Sequence, residues 1–183
     1  MTQAQAKALV MIFHGVEEME ALAPVDCLRR ANVDVTLASV GSDRTVTGRN
    51  NIIITADTSI EQAASALFDL IIVPGGPGHS LLCENEMVLD LLRKQNQRGA
   101  LIGSICAGPV VLHQAGILEG KHFTSFPSTE AVLPQRDRSN KVVRDNNLIT
   151  AQGAGCSIEF ALKLVEALCG SEVRENIAAS ICC

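Results

Sequence analysis

The chain has 183 residues, is 47% hydrophobic and 19% charged, and carries a net charge of −5 at pH 7. This composition excludes an intrinsically disordered chain, and the acidic balance argues against specific nucleic-acid binding and against binding to anionic membranes. No apolar run reaches the ~20 residues that a membrane-spanning helix needs, and the polar segment 1–7 lacks the pattern of a secretion signal, so we expect a cytoplasmic protein.

The length fits a single domain over residues 1–183. Its ends, 1–6 and 171–183, are expected to be flexible, although 172–180 could form a short helix. The cysteine count of seven is odd, and no Cys-x-x-Cys pair or zinc-ligand spacing occurs. We therefore expect reduced thiols rather than a disulfide framework or a metal site.

Short β-branched apolar runs alternate with amphipathic stretches, which is the pattern of βαβ units and a mostly parallel sheet. Strands are predicted at 8–13, 33–40, 51–55, 70–73, 101–105, 141–144 and 148–151. Helices are predicted at 16–31, 58–67, 81–98, 107–116 and 158–170. Pro24 should kink or interrupt the first helix, and Thr58-Ser-Ile-Glu61 is a capping-box pattern for the second.

The strongest local motif places Cys106 between a predicted buried strand and a predicted helix, in Ile102-Gly-Ser-Ile-Cys106-Ala-Gly-Pro109. Such a turn exposes a nucleophile at the carboxyl edge of the sheet, and the following amides point toward it. Gly108 should prevent crowding between helix and strand, and the helix N-terminus should favour the thiolate. The alternative is a buried cysteine that only fills space.

Two further segments follow predicted strands at the same edge. Pro74-Gly-Gly-Pro-Gly78 could bring amides to a developing oxyanion, or it could form only a strand-to-helix turn. Gly15-Val-Glu-Glu-Met-Glu20 supplies three glutamates, and the helix dipole is enough to explain Glu17 and Glu18. A glutamate buried beside a cysteine would have a raised pKa, could donate a hydrogen bond to sulfur and could transfer a proton.

Six motifs occur together in the order of a known family. They are Gly15-Val-Glu-Glu-Met-Glu20, Pro24-Val-Asp26, Arg29-Arg30, Val73-Pro-Gly-Gly76, Cys106-Ala-Gly-Pro109 and Glu159-Phe-Ala-Leu162. They resemble the ThiJ/PfpI superfamily, in the branch of the parkinsonism-associated deglycase and bacterial YajL, over about 8–170. The resemblance implies a flavodoxin-like α/β fold, a three-layer sandwich with a mostly parallel central sheet. It also implies a homodimer.

The resemblance assigns roles residue by residue. It implies that Cys106 is the nucleophile and Glu20 its protonated partner. It further implies that two amides stabilise an oxyanion and that two arginines line the pocket, within one chain or across the dimer interface. These residues are Gly76, Ala107, Arg30 and Arg49.

One position departs from the parkinsonism-associated branch. That branch has a histidine before Pro127, whereas this chain has Phe126, as in the YajL pattern. Phe126 cannot act as a base, so proton transfer would depend on Glu20 or on water. His14, at the end of the first predicted strand, is a candidate substitute, although a structural or exposed role is favoured for it.

The implied activity is a cofactor-independent deglycase and glyoxalase. Its substrates would be the α-oxoaldehydes methylglyoxal and glyoxal, or their adducts on protein side chains and guanine, and it would release lactate or glycolate. The alternative is a redox-responsive chaperone or sensor in which Cys106 is oxidised to the sulfinate. A peptidase is disfavoured because Ala107, not histidine, follows Cys106, and an amidotransferase because no His-x-Glu pair follows His122.

Overall fold

The computed structural model describes residues 5–183, so residues 1–4 of the predicted flexible start lie outside it. The described chain forms nine strands. They are β1 (Lys7–Ile12), β2 (Asp34–Ser39), β3 (Thr45–Thr47), β4 (Ile53–Thr55), β5 (Thr58–Ser59), β6 (Leu70–Val73), β7 (Leu101–Ile105), β8 (Val142–Asp145) and β9 (Leu148–Ala151).

Within residues 5–183, seven α-helices connect or follow these strands. They are α1 (Glu18–Arg30), α2 (Ile60–Ala63), α3 (Ser80–Cys83), α4 (Glu86–Gln97), α5 (Gly108–Gln114), α6 (Ser157–Cys169) and α7 (Ser171–Ser180). The last of them is the short C-terminal helix that the sequence allowed as the alternative to a flexible end. None of the helices within residues 5–183 is long and apolar enough to cross a membrane.

Seven strands form the central sheet, in the order β5-β2-β1-β6-β7-β9-β8. All neighbours pair in parallel except β8, which is antiparallel to β9, so the predicted mostly parallel α/β sheet is confirmed. Helices α1, α6 and α7 pack together in one layer, and α3, α4 and α5 pack together in another. Strands β1, β6 and β7 are almost entirely buried between them, as expected for parallel strands covered on both faces.

The sheet order also locates the crevice in which such folds bind ligands. From β1 the chain moves outward to β2 and then returns to β6 on the other side of β1. The reversal creates a switch point between β1 and β6, outside the carboxyl ends of the strands. The turns that follow β1, β6 and β7 all lie at this edge.

Two helix predictions need correction. The predicted helix 81–98 is divided into α3 and α4, because the side chain of Asn85 accepts a hydrogen bond from Val88 N at 3.2 Å and so begins a new helix. Helix α1, by contrast, continues through Pro24 without interruption. Pro24 removes the amide hydrogen that the Glu20 carbonyl would otherwise accept.

The region between β2 and β6 differs most from the prediction. Ser59, not Thr58, caps α2 by accepting a hydrogen bond from Gln62 N, and the helix ends at Ala63. Strand β3 was not predicted, and it forms a separate antiparallel pair with β4. Strand β4 lies within the predicted strand 51–55, whereas the apolar alternation of β3 extends over only three residues and is too short to identify.

Close packing between β7 and α6 depends on Gly103. A Cβ atom at this position would lie 2.8 Å from Leu164 Cδ2 and 3.1 Å from Phe160 Cζ. Both neighbours are fully buried, so neither can move into open space.

We therefore expect Gly103→Ala to lower the free energy of unfolding by about 1–3 kcal/mol through overpacking. Urea denaturation followed by circular dichroism measures this change. Gly155→Ala is the matched control, because a Cβ there would have no described atom within 4 Å. Equal stability of the two variants would contradict the packing argument.

Candidate active site

Cys106 lies at the predicted sharp turn between β7 and α5. Its φ of 63° falls in the left-handed region, which is unfavourable for any residue except glycine. Two hydrogen bonds hold this conformation: Cys106 N donates to Ala151 O at 2.9 Å, and Phe126 N donates to Cys106 O at 2.8 Å. The turn is thus attached to two neighbouring segments.

Gly108 has the packing role that the sequence predicted. A Cβ atom there would collide with the carbonyl oxygen of Val73 and lie 2.5 Å from Ser104 Oγ. Ser104 Oγ itself donates to Val73 O at 3.2 Å. The first turn of α5 therefore packs directly against the end of β6.

Glu20, in the first turn of α1, is the glutamate that faces the cysteine. It is only 1% exposed, and its Oε2 accepts a hydrogen bond from Gly75 N at 2.9 Å. Its other oxygen, Oε1, is buried without a conventional hydrogen-bond partner among the described residues. Glu20 and Cys106 are close enough for each to shift the pKa of the other.

The protonation of this pair is dominated by burial. Burial raises the pKa of Glu20 from 4.5 to about 7, against the opposing effects of the Cys106 and Gly75 hydrogen bonds. Burial, and then the negative charge of Glu20, raise the pKa of Cys106 to about 12. The expected stabilisation of the thiolate by the helix N-terminus is therefore outweighed, and near neutral pH the sulfur keeps its proton while Glu20 titrates.

The glycine loop packs against both groups. A Cβ atom at Gly75 would lie 2.7 Å from Ala107 N and from Cys106 Cβ, and 2.9 Å from Glu20 Oε2. Gly76 adopts a φ of 110°, which favours glycine. The backbone amides of Gly76 and Ala107 approach the sulfur closely enough to lower the pKa of Cys106. The structure thus brings both predicted amides to the Cys106 sulfur.

The other two glutamates of the acidic turn have specific partners as well. Glu17 Oε2 accepts from Glu20 N at 2.9 Å and caps α1. Glu18 accepts from Asn50 N at 2.7 Å and from Asn50 Nδ2 at 2.9 Å. This holds the turn that carries Arg49, whose positive charge lowers the pKa of Glu20. The helix dipole alone was thus an incomplete explanation.

Two predicted residues are not brought to the sulfur. His14 is exposed, and its Nδ1 accepts a hydrogen bond from Thr47 N at 3.1 Å, which favours the structural role. Arg30 lies ten residues beyond Glu20 on α1, about 15 Å along the helix, and pairs with Asp26 at 2.8 Å. A role of Arg30 in substrate binding therefore depends on the homodimer that the resemblance implies.

Sequence reasoning missed Arg136, which supports the segment before the 3₁₀ helix Pro127–Ala131. Arg136 is 8% exposed, and its Nη1 donates to Ser125 O at 3.2 Å. Thr129 Oγ1 donates to Phe126 O at 2.8 Å in the same segment. No sequence signal separates Arg136 from the polar residues around it.

Among residues 5–183, no cluster of three or more histidine, cysteine or carboxylate side chains could hold a metal ion.

The raised pKa of Glu20 implies a pH-dependent cost to stability. Between pH 4.5 and about 7, Glu20 loses its proton in the unfolded protein but keeps it in the folded protein. The free energy of unfolding therefore falls as the pH rises through this range and reaches its lower value above pH 7. We expect Glu20→Gln to stabilise the protein by about 3 kcal/mol more at pH 8 than at pH 4.5. Urea denaturation at both pH values measures the difference.

Glu119→Gln is the matched control, since Glu119 is exposed. Its effect should be the same at both pH values. A Glu20→Gln effect that is equally independent of pH would show that Glu20 is ionised normally in the folded protein.

Comparisons with known proteins agree with this architecture. The model of the DJ-1/PfpI family matches residues 6–167. Protein dj-1beta of Drosophila melanogaster is 42% identical over 178 residues, covering 95% of each chain. A Caenorhabditis elegans protein named glutathione-independent glyoxalase DJR-1.2 is 36% identical over 184 residues, covering 98% of this chain and 97% of that one.

A crystal structure of Drosophila melanogaster DJ-1beta superimposes with a TM-score of 0.94 at 40% sequence identity, covering 97% of both chains. The family match covers residues 6–167 and so includes every element of the site described above. The chain belongs to the DJ-1/PfpI family.

Proposed function

We propose that the protein is a cofactor-independent enzyme that converts α-oxoaldehydes such as methylglyoxal and glyoxal into 2-hydroxy acids. The observation that carries this proposal is the buried Glu20–Cys106 pair beneath two backbone amides. The pair combines a sulfur nucleophile with a carboxyl whose pKa is about 7, close to the working pH of a general acid–base catalyst.

The first step joins the sulfur to the substrate. The Cys106 sulfur attacks the aldehyde carbon, a C–S bond forms, and the thiol proton passes to the Glu20 carboxylate. The negative charge that develops on the aldehyde oxygen is stabilised by the amides of Gly76 and Ala107, which already lie beside the sulfur. Proton return from Glu20 gives the neutral hemithioacetal.

The second step moves one proton between the two carbons. Glu20 removes the hydrogen from the former aldehyde carbon, and a proton is delivered to the former ketone carbon through an enediol. The first carbon is thereby oxidised to a thioester and the second is reduced to a carbinol. Water then cleaves the C–S bond, which releases lactate from methylglyoxal or glycolate from glyoxal and restores the thiol.

The name of the Caenorhabditis elegans relative supports this reaction class. The same steps apply to the early adducts of these aldehydes on protein side chains or guanine. When the C–N bond of such a carbinolamine breaks, the hydroxyl proton passes to the departing amine and the aldehyde carbonyl re-forms, and the Cys106 sulfur attacks that carbonyl carbon as above. We therefore include deglycation in the proposal. None of these steps routes a proton through Phe126, which stands where the parkinsonism-associated branch has a histidine.

A redox-responsive role is the second candidate. Protonated Glu20 and the amides of Gly76 and Ala107 would donate hydrogen bonds to the oxygens of an oxidised Cys106, and this arrangement favours a sulfinate. All seven cysteines, which lie within the described residues, are unpaired thiols.

We also propose a homodimer. Helices α1 and α6 border an apolar groove of about 490 Å³. Its large side chains remain accessible in the single chain: Met19 is 58% exposed, Ile52 52% and Ile158 40%. Neighbouring exposed apolar residues of this kind mark a protein–protein interface.

Cys106→Ser should reduce the release of lactate from methylglyoxal, without glutathione, to the uncatalysed background. Glu20→Gln should lower kcat/KM by at least about 100-fold, because the proton can no longer be transferred. In the wild type, kcat/KM should fall as the pH drops below about 7, where Glu20 becomes protonated. Enzymatic lactate determination and loss of aldehyde absorbance measure these changes.

Cys183→Ser and Glu119→Gln are the controls, since both residues are exposed, and both variants should keep wild-type rates. Wild-type turnover no higher than that of Cys106→Ser would refute the enzymatic proposal. Intact-mass measurement of Cys106 oxidation under graded peroxide would then test the redox role, and a thiol as resistant as Cys183 would refute that as well.

Light scattering after size-exclusion chromatography tests the homodimer. We expect a wild-type mass of two chains and a shift to one chain in Ile158→Arg, because the new charge would be buried without a partner. Leu67→Arg is the control, since Leu67 is 70% exposed and lies outside the groove. A wild-type monomer at micromolar concentration would refute the proposal.

A further inference from the structure

Arg136 is a buried cation that the reaction steps above do not use. Only 6% of its side chain is exposed, and arginine is rarely buried to this extent unless it is paired. Its pairing is incomplete. The carboxylate of Glu130 lies 3.7 Å from Arg136 Nη2 but 2.6 Å from Nη2 of the exposed Arg138, and Arg136 Nε has no hydrogen-bond partner among the described residues. A buried charge with so little compensation is costly, so packing alone does not explain it.

Hydrogen bonds connect Arg136 to the turn that carries the nucleophile. Arg136 Nη1 donates to Ser125 O at 3.2 Å. That oxygen belongs to the same peptide group as Phe126 N, which donates to Cys106 O at 2.8 Å. The Cys106 oxygen in turn belongs to the same peptide group as Ala107 N, one of the two amides beside the sulfur. These two hydrogen bonds and two peptide groups form a relay from the guanidinium to the Ala107 amide.

Both hydrogen bonds of the relay run in the same direction, from the cation toward the sulfur. A peptide group whose oxygen accepts a hydrogen bond becomes a stronger donor at its N–H, and a charged donor increases this effect. A guanidinium keeps its charge throughout the working pH range. Ser125 is fully buried and Cys106 is 8% exposed, so water screens the relay little. The charge of Arg136 therefore strengthens Ala107 N–H as a donor.

The peptide group between Ser125 and Phe126 also has supports other than Arg136. A hydrogen bond of 2.7 Å joins Ser125 Oγ to Thr129 Oγ1, and Thr129 Oγ1 donates to Phe126 O at 2.8 Å. Arg136 Nη1 makes one further contact, a longer one of 3.5 Å to Asp137 O. Because Thr129 holds the segment from the other side, loss of the charge at Arg136 can be separated from loss of the segment's position.

We propose that Arg136 is a positioning residue of the reaction, which polarises the Ala107 amide through this relay and so strengthens its hydrogen bond to the oxyanion. The inference rests on the proposed function. When the sulfur attacks the aldehyde carbon, an electron pair of the carbonyl bond moves to oxygen, where the Ala107 amide stabilises the charge. Arg136 gains and loses no proton. Because the charge develops only toward the transition state, the relay should raise kcat and leave KM unchanged.

The test measures kcat and KM for methylglyoxal in Arg136→Gln, which keeps a polar side chain and removes the charge. We expect kcat to fall about tenfold, less than the roughly 100-fold loss for removing an oxyanion donor outright, while KM changes less than about twofold. Arg136→Lys restores a charged donor and should recover most of this loss. Arg138→Gln is the matched control and should keep the wild-type kcat, because Arg138 is 60% exposed and pairs with Glu130 rather than with Ser125.

An unchanged kcat in Arg136→Gln, or a loss that Arg136→Lys does not reverse, would overturn the inference and leave the proposed function intact. Circular dichroism shows whether each variant is folded. If Arg136→Gln is not, Arg136→Met replaces it, since an apolar side chain of similar length often substitutes for a buried charge without loss of stability. Failure of both variants to fold would overturn the inference, because Arg136 would then be a structural residue.

If the wild type does not consume methylglyoxal, the proposed function fails, and the reactivity of the thiol decides the inference. A weaker Ala107 amide leaves a smaller thiolate fraction at Cys106, so Arg136→Gln should slow its alkylation by iodoacetamide at pH 8 about two- to threefold. Peptide mass spectrometry follows the reaction, with the exposed Cys183 in the same sample as the reference. Equal rates for Cys106 in the two proteins would overturn the inference.

Discussion

The backbone of Cys106 is held in a left-handed conformation by hydrogen bonds to Ala151 and Phe126, and the rest of the site is arranged around this turn. The conformation costs free energy, so it persists only because neighbouring segments hold it at both its amide and its carbonyl. The same turn brings Ala107 N to within 2.7 Å of a Cβ placed on Gly75, so a side chain there would push the loop away from the sulfur. Backbone packing therefore positions Cys106, the two amides and Glu20, with little freedom to rearrange.

The second constraint is the burial of Glu20, which lowers the free energy of unfolding. The Glu20 carboxyl is 1% exposed and accepts one amide hydrogen bond, which does not replace the hydration that a carboxylate loses on burial. Its pKa therefore rises to about 7. An apolar side chain or an amide would be less costly at this position. This loss of stability is consistent with a catalytic role, because active sites commonly contain destabilising groups whose pKa values match the working pH.

Structural features that depend on local backbone packing could be predicted from the residues themselves. Features that depend on contacts between residues far apart in the chain could not. The turn at Cys106 and the packing role of Gly108 follow from a strand–helix junction, which is local. The choice of Glu20 over Glu17 and Glu18 came from the family resemblance and not from the local sequence, because it depends on Gly75, which is 55 residues from Glu20, and on Asn50, which is 32 residues from Glu18. The break at Asn85 was missed because its flanking apolar pattern fits one continuous helix, and only the side-chain cap separates the two. Arg136 acts through the carbonyl of Ser125, a contact without any local signature.

Phe126 supports the turn at Cys106 through its main chain alone. Its side chain cannot move a proton, yet its backbone amide still holds the Cys106 carbonyl, so the turn does not depend on the identity of the side chain. The ring lines a cavity of about 420 Å³ together with Lys141 and residues 152–156. A histidine there would present polar nitrogens to this cavity, whereas phenylalanine presents only carbon, and it is the one aromatic ring among the described residues that is more than 5% exposed. The main chain and the side chain of this residue therefore have separate surroundings, since the amide holds the turn at Cys106 and the ring lies at the surface.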